Sequence, residues 1–128
     1  CFIPVCSPCS STRFISHMVS REMLMRENSR KLGVPGIESH IGDFMQMDVS
    51  HLPAPDAVFI GGHGGKLKEM LHKIDKLLLP GGCVVFNSVS ENSLRLFREG
   101  VEGIGRNIEK QMCITVDSYN PITIMKAK

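Results

Sequence analysis

The sequence predicts a layered α/β fold, and three observations carry that prediction. Ala57-Val58-Phe59-Ile60 and Cys83-Val84-Val85-Phe86 are short apolar runs with the length and composition of buried strands. Between them Leu67, Met70, Leu71, Ile74, Leu77 and Leu78 recur at the i, i+3, i+4, i+7 spacing of an amphipathic helix. Strand, helix and strand in that order form the unit from which right-handed crossover sheets are built. With 128 residues, 42% of them hydrophobic and 22% charged, the chain has material for one domain with a core.

The elements follow in order along the chain. Residues 1–20 open with alternating Cys, Pro and Ser and read as an irregular segment, which leaves residues 21–128 as the α/β domain. Arg21 to Leu32 lacks Gly and Pro, carries Glu22 near its start and Arg30 and Lys31 near its end, and stops at Gly33 and Pro35, as a dipole-matched helix does. Ile37, Ser39 and Ile41 alternate with Glu38 and His40, so a strand is expected there, with Gly42 and Asp43 at its tip. The all-apolar run from Ala57 to Ile60 predicts a central strand covered on both faces. Pro80-Gly81-Gly82 ends the central helix and leads into the strand at Cys83. Ser90 is placed to cap a helix whose buried stripe is Leu94, Phe97, Val101 and Ile104, with Gly100, Gly103 and Gly105 expected to fray its end. Met112, Ile114 and Val116 alternate, and Tyr119-Asn120-Pro121 turns the chain into Ile122-Thr123-Ile124-Met125, which predicts a terminal antiparallel hairpin.

Several function classes lose support. A net charge of +2 without blocks of like charge, one Tyr and no Trp give neither a basic stripe nor a stacking platform for nucleic acid. No apolar stretch approaches the roughly 20 residues of a membrane span. The first nine residues lack the basic start and apolar length of a secretion signal, and the odd count of five Cys suits a reducing compartment, so a cytoplasmic protein is expected. Cys6-Ser7-Pro8-Cys9 has ligand spacing but no second pair, and no metal site is expected. Cys83 and Cys113 read as small buried residues, most Met as core, and His17, His40, His51 and His72 as surface.

The densest candidate site is Gly61-Gly62-His63-Gly64-Gly65, between a buried strand and an amphipathic helix, where backbone can approach a ligand. Four glycines in five positions exceed what one tight turn needs. The loop is not a phosphate-binding Walker loop, because Leu67 follows Lys66, and not a dinucleotide fingerprint, whose sixth position would also be Leu67. Asp43 and Asn87 follow neighbouring strands and are candidate contacts in the same crevice, since the carboxyl ends of parallel strands converge. His63 is the one candidate acid or base.

Gly42-Asp43-Phe44, the string Pro55-Asp56-Ala57-Val58-Phe59-Ile60-Gly61-Gly62-His63-Gly64-Gly65, and Leu79-Pro80-Gly81-Gly82 occur in an order and spacing that resembles the decarboxylating precorrin-6Y methyltransferases of cobalamin biosynthesis. Asn28, Asn87 and Asn120-Pro121-Ile122 fit as well, and the likeness runs from about Arg21 to Lys128. The resemblance implies a Rossmann-like class I methyltransferase sheet, mostly parallel with a terminal antiparallel hairpin, and S-adenosyl-L-methionine as cofactor. It implies cofactor contacts at Gly42, Asp43, Phe44, Gly61 and Gly62, contacts to a tetrapyrrole (precorrin) substrate at Gly64, Gly65 and Asn87, and an assisting role for His63 in the family's decarboxylation. A homo-oligomer is expected, as in the family. The family's Gly-x-Gly-x-Gly cofactor loop has no counterpart, because no Gly precedes Gly33, and its N-terminal elements are expected to be missing. Two other readings stay open: a nucleotide- or phosphate-binding α/β protein using the Gly61–Gly65 loop, and a non-enzymatic oligomerising remnant.

Overall fold

In the computed structural model, which describes residues 3–6, 12–16, 19–33 and 36–128, ten elements follow one another along the chain. They are β1 (Ile3–Cys6), β2 (Thr12–Ser16), α1 (Val19–Lys31), β3 (Ile37–Ile41), β4 (Ala57–Ile60), α2 (Leu67–Leu77), β5 (Cys83–Ser88), α3 (Glu91–Gly103), β6 (Ile108–Ile114) and β7 (Ile122–Ala127). The seven strands form one sheet in the order β3-β2-β1-β4-β5-β7-β6.

β1 pairs antiparallel with both β2 and β4, so those two run the same way. β3 and β5 follow them through parallel pairing, β7 opposes β5, and β6 opposes β7. Strands β2 to β6 therefore share one direction, and only β1 and β7 are reversed, which is the mostly parallel α/β sheet with a closing hairpin that the sequence predicts. The reversal of β1 has a simple cause. Only residues 7–11 separate it from β2, whereas a parallel connection needs about a dozen residues or more.

The segment expected to be irregular thus contributes two strands, and the sheet positions beside β4 and β3 are filled. No crossover helix stands between them among the described residues. Ser7, Pro8 and Cys9 of the Cys-x-x-Cys motif lie outside the described residues, as do His17 and Met18.

The core lies on one face of the sheet. Val58, Ile60, Val84, Phe86, Met125 and Ala127 pack there against Met70, Leu71 and Ile74 of α2 and Leu94, Phe97 and Val101 of α3. Phe86 and Phe97 stack with ring centroids 4.9 Å apart. On the other face Ala57, Phe59, Cys83 and Val85 are half-buried, so β4 and β5 are central strands with alternating burial rather than strands sealed on both faces.

Gly100 does not fray α3. It is buried in the helix, and a Cβ there would lie 2.6 Å from Leu71 Cδ1, so the missing side chain lets α3 approach α2. Ser90 caps the helix as expected, its side chain accepting from the Ser93 N–H. Cys113 is exposed rather than buried, because β6 is an edge strand with its outer face uncovered. His40 is half-buried, its Nε2 3.7 Å from Glu38, while Met70 and Met125 are core residues but Met23 and Met112 are exposed.

Candidate functional site

Because β3, β4 and β5 run the same way, the residues that follow them meet at one edge of the sheet. The strand order reverses between β1 and β4, and crevices of open α/β sheets form outside the carboxyl ends at such a point. Gly42-Asp43-Phe44 leaves β3 there, Gly61 to Gly65 leaves β4, and Asn87 and Ser88 end β5.

The glycine loop divides into two parts. Gly64 and Gly65 have φ of +54° and +84°, a backbone region that side chains rarely tolerate, so the turn into α2 demands them. Gly62 is different: its φ is not left-handed, and a Cβ built on it meets nothing within 4 Å. Its own turn does not require glycine, and the space beside it is open.

His63 is held at both ring nitrogens. The Gly65 N–H donates to Nδ1 at 3.0 Å, so the ring proton of the neutral imidazole sits on Nε2, which lies 3.0 Å from Ser93 Oγ and donates to it. The ring also leans on Phe86, with centroids 6.1 Å apart. Acid or base use of His63 therefore requires one of these two bonds to open.

His63 is the wall between two hollows. One, of about 280 Å³, is lined by Asp43, Phe44, Met45, His63, Gly64, Lys66 and Met70. The other, of about 340 Å³, is lined by Gly61, Gly62, His63, Phe86, Asn87, Ser88, Val89 and Ile122. The structure thus groups Gly64 with Asp43 and Phe44, and Gly61 and Gly62 with Asn87. Gly42 lies just behind, its N–H bonded to the Ser16 carbonyl, and Gly65 serves the turn. The Oδ1 of Asn87 is buried without a hydrogen-bond partner among the described residues, an acceptor of the kind that is costly to leave unmade.

Asp43 is fixed by its turn: Oδ1 accepts from the Met45 N–H at 2.9 Å, and its carbonyl accepts from Gln46 and Met47. A carboxylate retains acceptor capacity beyond that single bond. Sequence reasoning misses Lys73, whose Nζ donates to the carbonyls of Phe44 and Met47 at 2.5 and 2.6 Å and sits 4.8 Å from the Phe44 ring centroid. It ties α2 to the Asp43 turn across 26 to 29 residues, so no local pattern announces it. Ser93 is missed for the same reason. A further cavity of about 280 Å³ lies behind Phe44, between α2 and residues 49–55, and its lining is largely apolar. Among the described residues no group of three or more His, Cys, Asp or Glu is placed to hold a metal ion, and no helix is long and apolar enough to cross a membrane.

The fold has counterparts among solved structures. A precorrin-6Y C5,15-methyltransferase from Geobacter metallireducens GS-15 is 26% identical with a TM-score of 0.82, over 91% of this chain and 65% of that one. Precorrin 8W decarboxylase from Methanobacterium thermoautotrophicum is 20% identical with a TM-score of 0.75, over 91% of this chain and 68% of that one. The C-terminal domain of precorrin-6Y C5,15-methyltransferase from Rhodobacter capsulatus is 22% identical with a TM-score of 0.65, over 89% and 66%. The chain therefore spans just under two thirds of the Geobacter protein. No curated protein matches the sequence. The model of the precorrin methyltransferase domain matches residues 7–127, nearly the whole length, and the chain belongs to that family.

Proposed function

We propose that this chain binds the nucleoside end of S-adenosylmethionine in the hollow at Asp43 and Gly64, and a precorrin in the adjoining hollow at Gly61 and Asn87, as a methyltransferase of cobalamin biosynthesis. The observation that carries this reading is the pair of hollows meeting at His63, with Gly62 open beside the wall. A transferase for two substrates needs such a pair, because its task is to hold donor and acceptor in line.

The residues present fit part of the donor. Asp43 can accept from an exocyclic amine, Phe44 and Met70 offer apolar surface to a ring, and Lys73 keeps the turn that presents them. The amino-acid end finds less: residues 7–11, between β1 and β2, contain no glycine.

When bound, the donor supplies an electrophilic methyl group. The chain's own residues orient. Asn87 lines the hollow for the ring system, and His63, clamped by Gly65 and Ser93, sets the separation between the two occupants. A proton delivered by His63 has to come from Nε2, at the expense of the Ser93 bond. The proposal extends to a cytosolic homo-oligomer, supported by the odd cysteine count and the exposed edge strand β6.

Calorimetric titration with S-adenosylhomocysteine and with adenosine tests the reading. Both should saturate with Kd on the order of 10⁻⁴ M, within about threefold of each other, since only the nucleoside end has a built site. Asp43→Ala should weaken both about tenfold. Folding should persist, because the turn keeps its bonds to Gln46, Met47 and Lys73. A folded protein that binds neither ligand would overturn the proposal.

A further inference from the structure

The hollow at Asn87 is too small for its proposed occupant. At about 340 Å³ it stands at the low end of the roughly 300–1,000 Å³ that enclose drug-sized ligands, and a tetrapyrrole with its acid side chains is larger than those. Most of the ring system must lie outside. On the His63 side the way is taken by the donor hollow. On the other side the wall made by Val89 and Ile122 continues into a second depression of about 360 Å³, lined by Val89, Ile114, Val116, Tyr119, Asn120 and Ile122.

Apart from Asn120 these residues are apolar, and they are open to water: Val89 is 62% exposed, Val116 57% and Tyr119 74%. All but Val89, which follows β5, sit on the β6–β7 hairpin, whose tip is closed by the Tyr119 N–H donating to the Val116 carbonyl at 3.1 Å, with Asp117 between them at φ +51°. A contiguous exposed apolar patch marks a surface that something covers. Its continuity with the crevice floor, where Gly61, Gly62 and Asn87 lie and Gly62 leaves space, says what covers it.

We propose that Val89, Ile122, Val116 and Tyr119 form a shelf for the flat face of the tetrapyrrole, with the reacting edge of the ring in the hollow beside His63 and the carboxylates turned outward to water. This rests on the methyltransferase reading. Val116 and Tyr119 are then specificity-determining residues for a large flat acceptor, and they touch neither His63 nor the donor hollow.

The test uses the full chain, uroporphyrin as a soluble tetrapyrrole carboxylate probe, and the double variant Val116→Ser, Tyr119→Ser. Porphyrin fluorescence gives one affinity, calorimetry with S-adenosylhomocysteine a second, and sedimentation the mass. The variant should bind uroporphyrin about tenfold or more weakly than the native chain. Its S-adenosylhomocysteine affinity, melting temperature and mass should be unchanged. Equal porphyrin affinities would overturn the shelf, as would a native chain that binds S-adenosylhomocysteine but not the porphyrin. A changed mass in the variant would overturn it by showing that a second copy covers the patch. Loss of both ligands by the native chain would instead overturn the methyltransferase reading on which the shelf rests.

Discussion

Replacing Gly62 and Gly64 by alanine, one at a time, separates the glycine that the crevice needs from the glycine that the turn needs. At Gly64 the φ of +54° forces alanine into the left-handed region, which costs about 1–2 kcal/mol. With an unfolding entropy of about 2.1 cal/mol/K per residue, a chain of this length should melt roughly 4–7 °C lower. At Gly62 the added Cβ meets nothing within 4 Å and the backbone is not left-handed, so Gly62→Ala should leave the melting temperature within about 2 °C of native. Scanning calorimetry on the ligand-free proteins reads both. The reasoning is refuted if Gly62→Ala lowers the melting temperature as far as Gly64→Ala does, because glycine at 62 would then be structural and its openness would say nothing about a ligand.

Three further outcomes follow from the same structure. Gly100→Ala pushes a Cβ to 2.6 Å from Leu71 Cδ1 in a filled core. It should destabilise by about 1–3 kcal/mol in a urea melt, with partial recovery in the Leu71→Val background. Lys73→Met removes a charged donor from the carbonyls of Phe44, Met45 and Met47, and should lower stability by about 1–3 kcal/mol while weakening S-adenosylhomocysteine in calorimetry, because the Asp43 turn loses its tie to α2. Lys68, hydrogen-bonded to Glu99 at 2.7 Å, holds that carboxyl below its ordinary 4.5. The resulting stabilisation is complete above that value and fades as pH falls through the lower folded one. Lys68→Met should therefore flatten the acid side of the stability profile in urea melts at pH about 3 to about 6.

Much of this fold is written in local periodicity. α2 is legible because its apolar stripe and its Pro80-Gly81-Gly82 stop coincide, and Ser90 announces α3 through its cap. β2 is not legible: Thr12-Arg13-Phe14-Ile15-Ser16 becomes a strand through its partners, pairing with β1 on one side and β3 on the other. Gly100 misleads in the opposite sense. A helix-breaking residue by propensity, it stands in α3 because tertiary contact with Leu71 overrides a penalty of about 1 kcal/mol.

The alternation that suggests a strand over Met112, Ile114 and Val116 overlaps only the end of β6, which stops at Ile114, before Val116. β6 starts at Ile108, where Glu109 and Lys110 hide the pattern but where pairing with β7 sets in. At the site, the clustering of Asp43, the glycine loop and Asn87 follows from strand ends and is readable in the sequence. The Ser93 bond to His63 and the Lys73 tie join residues 26 to 30 positions apart and exist only once the helices have packed.

Amide chemical-shift mapping of the folded chain, titrated with S-adenosylhomocysteine, tests the central claim most directly. The account predicts saturable shifts at Asp43, Phe44, Met45, His63, Gly64 and Lys66, with little change at Val49, Leu52 and Leu77 around the apolar cavity behind Phe44. Shifts confined to that cavity, or none at any concentration, would contradict it.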